Sequence, residues 1–490
     1  MRDILSDKEK RQLALLDALL EEPTATLLQI SKVSGYPVRT LSDDISKLNA
    51  LISPSKIISN TAGLSLFIPA NSSPREIYSR FLNESREYQL LQYLFVNETD
   101  SLADISDNLY VSESTLKRMI HTLNTKFAVF GVSIKSAPYR LSGDETMISL
   151  FCTAILNQTN LTDNYLISEK QQHSLVNLCS AAAKTYQINL TYPMVTTLCH
   201  WIFVRLTRIK HGHHMPPPQE NIAMLPPVNP SSCKFLENIQ TDEIRELFGI
   251  QITPDIVYEI FYLYANSGYA HNEKDLLKII SKSPRHKNLY ESIKLTLKKI
   301  SEGLDIPLYG TQKLLLNLFN YQQPPNTPVY AIYDKNAVFL NGFKKENEKI
   351  YTIVSRAVSE VYGDTLPEYE KSAVIYKLIT HWPGIMEKAA NNSPPITVGI
   401  FFDADKENAA LVANLLRRYS KLDISVIIPD PVLDLEYSSI YKGLDLLITN
   451  IPGLEAEDLQ IVCIQEYPSK RDWKNITLAI ERVYNQKAWE

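Results

Sequence analysis

One twelve-residue pattern occurs twice in this 490-residue chain and restricts the possible folds more than any other feature. The copies, Val38–Asn49 and Glu113–Asn124, share Thr-Leu-x-x-x-Ile-x-x-Leu-Asn and lie 75 residues apart. Leucine, isoleucine and leucine at i, i+4 and i+7 form one apolar stripe on a helix. We therefore predict two amphipathic helices whose stripes are Leu41, Ile45 and Leu48, and Leu116, Ile120 and Leu123.

The face of each helix opposite the apolar stripe is polar. The first carries Arg39, Ser42, Asp43, Ser46 and Lys47, and the second carries Ser114, Lys117, Arg118, His121 and Thr122. A short helix with a buried stripe and a face of Arg, Lys, Ser and Thr is typical of DNA recognition. We predict DNA contacts from Arg39, Thr40, Ser42, Lys47, Ser114, Thr115, Lys117, Arg118, His121, Lys135 and Arg140.

The same offset extends beyond the helices, without a gap from Arg11 to Leu66. Thr26 and Ser101 are the predicted N-caps of the helices before each turn. Gly35 and Pro37 mark the turn in copy one, and Ile52–Ile68 and Val132–Leu141 are the predicted wings. Helices, turn and β-prone tail in constant register predict a duplicated winged helix-turn-helix. The alternative is two helical packing units with ordinary solvated faces.

Charge distinguishes the two copies. The chain has 50 Lys and Arg against 55 Asp and Glu, and the two repeated units are near neutral, whereas phosphate contacts normally need a basic surface. In copy one, Asp43 and Asp44 offset Arg39 and Lys47. In copy two, only Glu113 opposes Lys117, Arg118 and Lys126. We predict that the second unit contributes more of the phosphate binding.

From Glu145 to about Lys388 the periodicity is almost entirely helical. Pro216–Pro230 is predicted to be an extended loop, and Ser281–Arg285 a hinge between two helical bundles. The predicted helices are Met147–Asn157, Glu169–Tyr186, Pro193–Lys210, Phe235–Phe248, Pro254–Ala265, His286–Gly303, Gln312–Tyr321, Lys345–Tyr362 and Glu368–Lys388.

The histidines of this region have two interpretations. A histidine in apolar company, as His200 is beside Trp201, is usually a satisfied core side chain, and His381 before Trp382 is similar. The cluster His211, His213 and His214 has metal-ligand chemistry, but its sequence neighbourhood lacks cysteine or carboxylate at ligand spacing and favours a solvated loop. We predict no metal site and no cofactor.

After the linker Pro394-Pro395, strands alternate with helices and predict a small parallel α/β domain. The strands are Ile396–Phe402, Ile424–Ile428, Leu444–Thr449 and Ile461–Gln465, and the helices are Ala404–Tyr419 and Trp473–Asn485. The loop Asp403–Asn408 has no Gly-rich turn and no nucleophile, and Cys463 is predicted to be a buried, inert thiol. We predict an interaction or dimerisation unit without a catalytic centre.

The remaining composition indicates a cytosolic protein. The charged N-terminus lacks the apolar segment of a signal peptide, and no stretch is long enough to span a bilayer, so we expect no membrane partner. The five cysteines are scattered and odd in number, which favours reduced thiols over a disulfide framework.

This order of parts resembles the Mga/AtxA-like virulence regulators of Gram-positive bacteria. The resemblance is carried by the tandem TL-x3-I-x2-LN helices, by LCHWIFVRLTR (Leu198–Arg208) and by VGIFFDAD (Val398–Asp405). It implies a mainly α multidomain fold with two winged helix-turn-helix domains (1–70 and 71–144), two helical phosphotransferase-regulation domains, or PRDs (145–283 and 284–392), and a C-terminal domain similar to enzyme IIB (393–490).

The resemblance also implies partners and modification sites. These are double-stranded DNA, a second copy of the chain, and a phosphocarrier protein of the sugar phosphotransferase system that phosphorylates PRD histidines. His200 and His381 are the implied acceptors, although Leu198 stands one position too close to His200 for the family pattern. Enzyme IIB domains have a cysteine where this chain has Asp403. We expect a DNA-binding transcription regulator that is not an enzyme. The alternatives are an RNA-binding antiterminator and a phosphotransferase component.

Overall fold

Two compact units make up the chain in a computed structural model: Met1–Lys287 with Phe319–Lys335, and Asn288–Leu318 with Asn336–Glu490. The described residues are 2–22, 24–99, 101–159, 166–186, 190, 192–216, 241–262, 268–321, 332–386, 396–402, 406–419, 424–429, 443–456, 459–465 and 467–487.

The first unit begins with two winged helix-turn-helix folds, separated by helix α4 (Pro74–Glu84). Each has three helices followed by a two-stranded antiparallel hairpin. The first fold comprises α1 (Asp7–Glu21), α2 (Leu27–Ser34), α3 (Val38–Leu51), β1 (Lys56–Asn60) and β2 (Gly63–Phe67). The second comprises α5 (Arg86–Val96), α6 (Leu102–Leu109), α7 (Glu113–Phe127), β3 (Val132–Lys135) and β4 (Arg140–Gly143).

The predicted apolar stripes anchor both folds. Leu41, Leu48, Leu116 and Leu123 are each 0% exposed, and the two isoleucines of the pattern are partly buried against the same core. Burying a leucine side chain contributes roughly 1.5–3 kcal/mol, so the stripes fix which face of each helix points inward. The two amphipathic helices predicted from the sequence are confirmed.

Capping and turn chemistry repeat in both copies. The predicted N-caps Thr26 and Ser101 each accept a hydrogen bond from the backbone N–H three residues on. The turn in copy one is closed by the Ser31 hydroxyl, which donates to the Tyr36 carbonyl at 2.6 Å, and the same bond joins the equivalent residues of copy two. Both turns need a left-handed residue: copy one uses Gly35 at φ +75°, whereas copy two holds Tyr110 at φ +52°.

The gapless repeat conceals two length changes that cancel. The side chain of Asn49 binds the backbone of Ile57, eight residues on, whereas that of Asn124 binds Ile134, ten residues on. The hairpins compensate: Ile57 pairs with Leu66 across nine positions, whereas Ile134 pairs with a leucine only seven positions later. The equivalent residues of β2 and β4, the second strands of the hairpins, keep the 75-residue offset, whereas those of β1 and β3 do not. The prediction of an ungapped repeat is therefore wrong within the wings.

In the described residues of the first unit, six further α-helices follow, and the sequence predicts only some of them with the correct bounds. The helix predicted at Phe235–Phe248 is described only from Thr241, and that at Pro254–Ala265 ends at Ile260. The predicted loop Pro216–Pro230 lies outside the described residues beyond Pro216. The helices are α8 (Glu145–Thr159), α9 (Glu169–Tyr186), α10 (Tyr192–Lys210), α11 (Thr241–Phe248), α12 (Pro254–Ile260) and α13 (Glu273–Lys282), the last of them not predicted.

The next α-helices with described bounds are α14 (Pro284–Leu304), α15 (Gln312–Tyr321), α16 (Lys335–Glu346), α17 (Glu348–Tyr362) and α18 (Glu368–His381). The predicted hinge Ser281–Arg285 contains the break between α13 and α14 at Ser283. The predicted helix Lys345–Tyr362 is wrong at its start, because Asn347 leaves helical geometry (ψ +52°) and separates α16 from α17. Helix α18 stops well before the predicted Lys388 because Trp382 precedes a proline and is extended.

The C-terminal sheet has the predicted parallel α/β arrangement. Its strand order is β6-β5-β7-β8, with every pair parallel. Cys463, at the end of β8, is exposed rather than buried as predicted, and Asp403–Asp405 lie outside the described residues. The elements are β5 (Ile396–Phe401), α19 (Lys406–Tyr419), β6 (Ile424–Ile427), β7 (Leu446–Thr449), β8 (Gln460–Cys463) and α20 (Lys470–Lys487).

Candidate nucleic-acid interface

Helices α3 and α7 present their polar faces to solvent. Thr40 and Thr115 are half-buried, and the hydroxyl of Ser112, the N-cap of α7, accepts from the Thr115 N–H at 3.2 Å. Neither helix is enclosed on all sides, so both meet the geometric requirement for entering a DNA groove. The other predicted contact residues on the two helices are all exposed: Arg39, Ser42, Lys47, Ser114, Lys117, Arg118 and His121.

Asp44 does not lie on the polar face of α3. It is 1% exposed and accepts from Arg11 Nε at 2.6 Å and from Gln12 Nε2 at 3.3 Å. Position 44 is three residues after Leu41 and therefore falls beside the apolar stripe. The prediction that Asp44 offsets the positive charge on the polar face of α3 is therefore wrong. The exposed face of α3 has two cations and one carboxylate, Asp43.

The exposed charge still favours the second copy. Helix α7 exposes Lys117, Arg118 and Lys126 against Glu113. The Lys117 Nζ lies 3.9 Å from the Glu113 carboxylate, but both side chains are more than half exposed. Such a pair contributes little and leaves the lysine available to a phosphate.

The two wings also differ in charge. In the second wing, Lys135 is exposed and pairs in register with the half-buried Arg140, so two cations sit side by side across the hairpin. In the first wing, β1 and β2 carry one cation, Lys56, whose Nζ lies 6.0 Å from the centroid of the Phe67 ring. The second winged helix therefore exposes more cations than the first on its recognition helix and carries more cations on its wing.

A buried charge network joins the second winged helix to the helices that follow it. Arg205 in α10 is 0% exposed. Its Nη1 donates to Glu145 and to the Ser149 hydroxyl, each at 2.8 Å, and its Nη2 binds the Glu259 carboxylate and the His213 carbonyl. These contacts tie α8, α10 and α12 together.

Arg208, one turn further along α10 and 1% exposed, extends the network to the DNA-binding fold. It binds both oxygens of Glu145 through Nε and Nη2, at 2.8 and 2.9 Å. Its Nη2 also donates to the carbonyl of Leu141 in wing strand β4, and its Nη1 lies 3.5 Å from Glu98. Arg208 thus contacts the wing and the residues after α5 at the same time.

The three clustered histidines lie in a partly exposed loop, as predicted, but each also has a partner distant in the chain. His211 Nε2 lies 3.0 Å from the Val96 carbonyl, His213 Nε2 lies 2.5 Å from Glu98, and His214 Nδ1 lies 2.8 Å from Glu259. Glu98 and Val96 are each 115 residues away along the chain, which is why local sequence gave no sign of these partners. Across the described part of the chain, no His, Cys, Asp and Glu cluster could hold a metal ion.

His200 has the properties of a core histidine. It is 4% exposed, and its Nδ1 lies 2.6 Å from the side-chain oxygen of Asn157. Burial, and secondarily the charge of Arg75, lower the pKa of His200 to about 4. The imidazole is therefore neutral at neutral pH. Because the unfolded side chain titrates near 6.5, its contribution to stability is present above that pH and is lost as the pH falls towards 4.

His381 is accessible, in contrast to His200. It is the last residue of α18, is exposed, and its Nδ1 lies 2.8 Å from the Thr380 hydroxyl. Burial, followed by the charge of Lys377, lowers the pKa of His381, so its neutral form is favoured at neutral pH. Only a neutral imidazole has a lone pair for attack on a phosphoryl donor.

Two in-register winged helices with exposed polar recognition faces define a tandem winged-helix, DNA-binding type of protein. Residues 70–156, which span the second winged helix and most of α8, match the family described as the Mga helix-turn-helix domain. The resemblance predicted from the sequence is confirmed: residues 70–156 match this domain, and the chain is similar to proteins named as regulators. Within the described residues, no helix is long and apolar enough to cross a membrane.

The similarity to named regulators extends along nearly the whole chain. A protein described as a trans-acting regulator in Streptococcus pneumoniae serotype 4 (strain ATCC BAA-334 / TIGR4) is 23% identical over 480 residues, 94% of this chain and 95% of that protein. The capsule synthesis positive regulator AcpB of Bacillus anthracis is 20% identical over 95% of this chain and 97% of its own. The regulator AcpA of the same organism is 24% identical over 41% of this chain and 43% of its own.

Proposed function

We propose that this protein is a cytosolic transcription regulator that binds double-stranded DNA through both winged helices. Helices α3 and α7 would enter successive major grooves, while the wings contact the flanking backbone. The observation that carries the proposal is the duplicated fold, in which the leucines of both apolar stripes are fully buried and both polar faces are open. The names of the full-length relatives, which are regulators, support the same class.

The chemistry of the two faces favours duplex DNA over hairpin RNA. Arg, Lys, Ser and His on a single helix reach base edges in the wide major groove of B-DNA, whereas the deep, narrow major groove of A-form RNA excludes such a helix. RNA modules that read single strands stack bases on exposed aromatic rings. The polar faces of α3 and α7 carry no aromatic residue apart from His121.

The first test compares the two nucleic acids at the same salt concentrations. We expect the full chain to shift a mixed-sequence DNA duplex several helical turns long more strongly than an RNA hairpin of the same length. The DNA affinity should fall steeply as salt rises, because bound phosphates release counterions. Tighter binding of the hairpin would favour the antiterminator class, and a salt-independent affinity for both would contradict nucleic-acid binding through these cations.

We also propose that the chain divides functionally as the resemblance implies: winged helices at 1–70 and 71–144, PRD-like helical domains at 145–283 and 284–392, and an enzyme IIB-like dimerisation domain at 393–490. The regulator then binds DNA as a homodimer, which suits a site with two equivalent halves. The parallel sheet β6-β5-β7-β8 supports the proposal for the last domain. No nucleophile chemistry is proposed for it.

Of the two histidines proposed as phosphate acceptors, His381 fits the role better. A phosphocarrier protein must bring its phosphohistidine into contact with the acceptor nitrogen, and the 4% exposure of His200 prevents this in the present conformation. His381 is exposed at the end of its helix. A phosphate there adds negative charge beside Lys377, one helical turn away, and so alters local ion pairing.

A phosphotransfer assay distinguishes the two histidines. With a phosphocarrier protein, its kinase and labelled phosphoenolpyruvate, we expect wild type and His200→Ala to take up label and His381→Ala to lose most of it. The label should be acid-labile, as phosphohistidine is. Labelling that disappears in His200→Ala instead would show that α10 opens to expose the imidazole, and no label in wild type would contradict phosphotransferase control.

A further inference from the structure

The asparagine that ends each repeated pattern holds the first strand of its wing. Asn124 Nδ2 donates to the Ile134 carbonyl at 3.0 Å, and the Ile134 N–H donates to Asn124 Oδ1 at 2.6 Å. Asn49 makes the same pair of bonds to Ile57, at 3.1 and 2.6 Å. In each case one side chain occupies both backbone polar groups of one residue on the outer edge of the hairpin.

The chemistry of this contact is specific to asparagine. A side-chain amide offers a donor and an acceptor on one short, planar group. Aspartate retains only the acceptor, alanine retains neither, and glutamine places the amide one methylene further out. The bound strand edge would otherwise expose an unpaired N–H and C=O, which is the usual weakness of an edge strand.

The contact persists although the connection between helix and wing differs in length. Eight positions separate Asn49 from Ile57, and ten separate Asn124 from Ile134. If chain length set the position of the wing, the extra two residues would displace the second wing along its helix. Instead, both hairpins meet the equivalent point of the recognition helix, so the amide contact defines where the wing lies.

The position of the wing decides where its cations lie. Lys135 directly follows the anchored Ile134 and pairs across the hairpin with Arg140. On α7, Lys117 and Arg118 lie seven and six residues before Asn124. A duplex has fixed groove and phosphate spacing, so the two sets of cations reach phosphates together only if the helix-to-wing distance is fixed.

We propose that Asn49 and Asn124 are positioning residues that hold each wing at a fixed place beside its recognition helix, so that helix and wing contact DNA simultaneously. This inference rests on the proposed DNA-binding function. Neither asparagine needs to touch DNA, and neither carries charge. Substituting either asparagine should therefore reduce the number of DNA phosphates that the protein binds and leave its preference among base sequences unchanged.

The experiment measures affinity for a mixed-sequence DNA duplex, by fluorescence anisotropy, at several salt concentrations with the full-length chain. Each phosphate contact contributes about −0.9 to the slope of log K against log salt. Asn124→Ala should reduce the steepness of that slope by about two, since two wing cations lose their phosphates. Asn49→Ala, which breaks the same two bonds beside a wing with only Lys56, should reduce it by at most about one.

Two further variants make the outcome decisive. In a Lys135→Ala/Arg140→Ala background, adding Asn124→Ala should leave the slope unchanged, because the cations it positions are absent. Thr125→Ala, which removes an exposed hydroxyl that donates to the His121 carbonyl within the same helix, should leave the slope as in wild type. Hydrogen exchange at the Ile134 amide should accelerate in Asn124→Ala and not in Thr125→Ala.

The results separate this inference from the proposed function. If wild type binds with a steep salt slope but Asn124→Ala weakens affinity without changing that slope, or changes it no more than Asn49→Ala does, the positioning role is wrong and DNA binding stands. If wild type itself shows no salt-dependent binding, the proposed function fails first. Should Asn124→Ala melt below the assay temperature, Asn124→Asp and Asn49→Asp, which keep one bond each, replace the alanine pair with the same expected order.

Discussion

Replacing Arg205 with alanine should lower the free energy of unfolding of the first unit by about 3–5 kcal/mol, the usual cost of removing one partner from a buried ion pair. The substitution leaves Glu145 and Glu259 facing each other without the guanidinium between them, in a site where Arg205 is 0% exposed. The Ser149 hydroxyl and the His213 carbonyl also lose their bonds to it. The cost comes mainly from Glu259, which keeps only His214 and the Met215 N–H as partners, whereas Glu145 still binds Arg208.

The measurement is the midpoint of the first thermal or urea transition of the full-length chain, followed by circular dichroism. Lys210→Ala is the matched control, since it removes an exposed cation from the same helix and should change the midpoint little. A wild-type midpoint for Arg205→Ala would contradict the central role of the network. Arg205→Ala should also weaken DNA binding at temperatures near its lowered midpoint, because the network includes Arg208 and Glu98 beside the second winged helix.

Replacing Lys117 and Arg118 together with alanine should weaken binding to duplex DNA by at least about tenfold at low salt and reduce the salt slope by about two. Both side chains are exposed on the polar face of α7. The ion pair of Lys117 with Glu113 is long, at 3.9 Å, so little intramolecular stability is lost with it. Folding should therefore be unaffected, which circular dichroism will verify.

The matched comparison is Arg39→Ala with Lys47→Ala on α3, which removes the same number of exposed charges from the other copy. We expect a smaller loss of affinity and a smaller change in slope. Because Asp44 is buried, the exposed positive charge of the first winged helix is closer to that of the second than the sequence suggests. The second still has the larger exposed positive charge, because Asp43 remains exposed on α3 and the first wing has fewer cations. Equal losses of DNA affinity in the two double variants, or a larger loss from the α3 variant, would overturn the ranking of the two winged helices.

Much of the structure of the two winged helices is predictable from the sequence because its determinants are local. A stripe at i, i+4 and i+7 depends only on helix geometry, and a serine or threonine before a helix caps it through backbone groups three residues away. The repetition of Leu41, Ile45 and Leu48 at Leu116, Ile120 and Leu123 made chance agreement improbable. The parallel strands β5 to β8 were likewise visible as short apolar runs between helices.

The errors arose where a partner is distant in the chain. The local sequence predicts a surface charge at Asp44 because its partner, Arg11, lies 33 positions away. The local sequence around His211, His213 and His214 predicts only a solvated loop, because their partners Val96, Glu98 and Glu259 are distant in the chain. The missed break at Asn347 is different: it depends on a single backbone angle that periodicity does not encode.

The sequence alone determined which faces of α3 and α7 point inward, since apolar burial follows from the spacing of side chains along one helix. It also determined that the unit is duplicated. Only the tertiary structure decided which charges are free for DNA, which histidine is accessible, and what the final asparagine of each copy binds. Those properties depend on contacts between segments tens of residues apart, and folding brings such groups together through the whole core rather than through any pattern within one element.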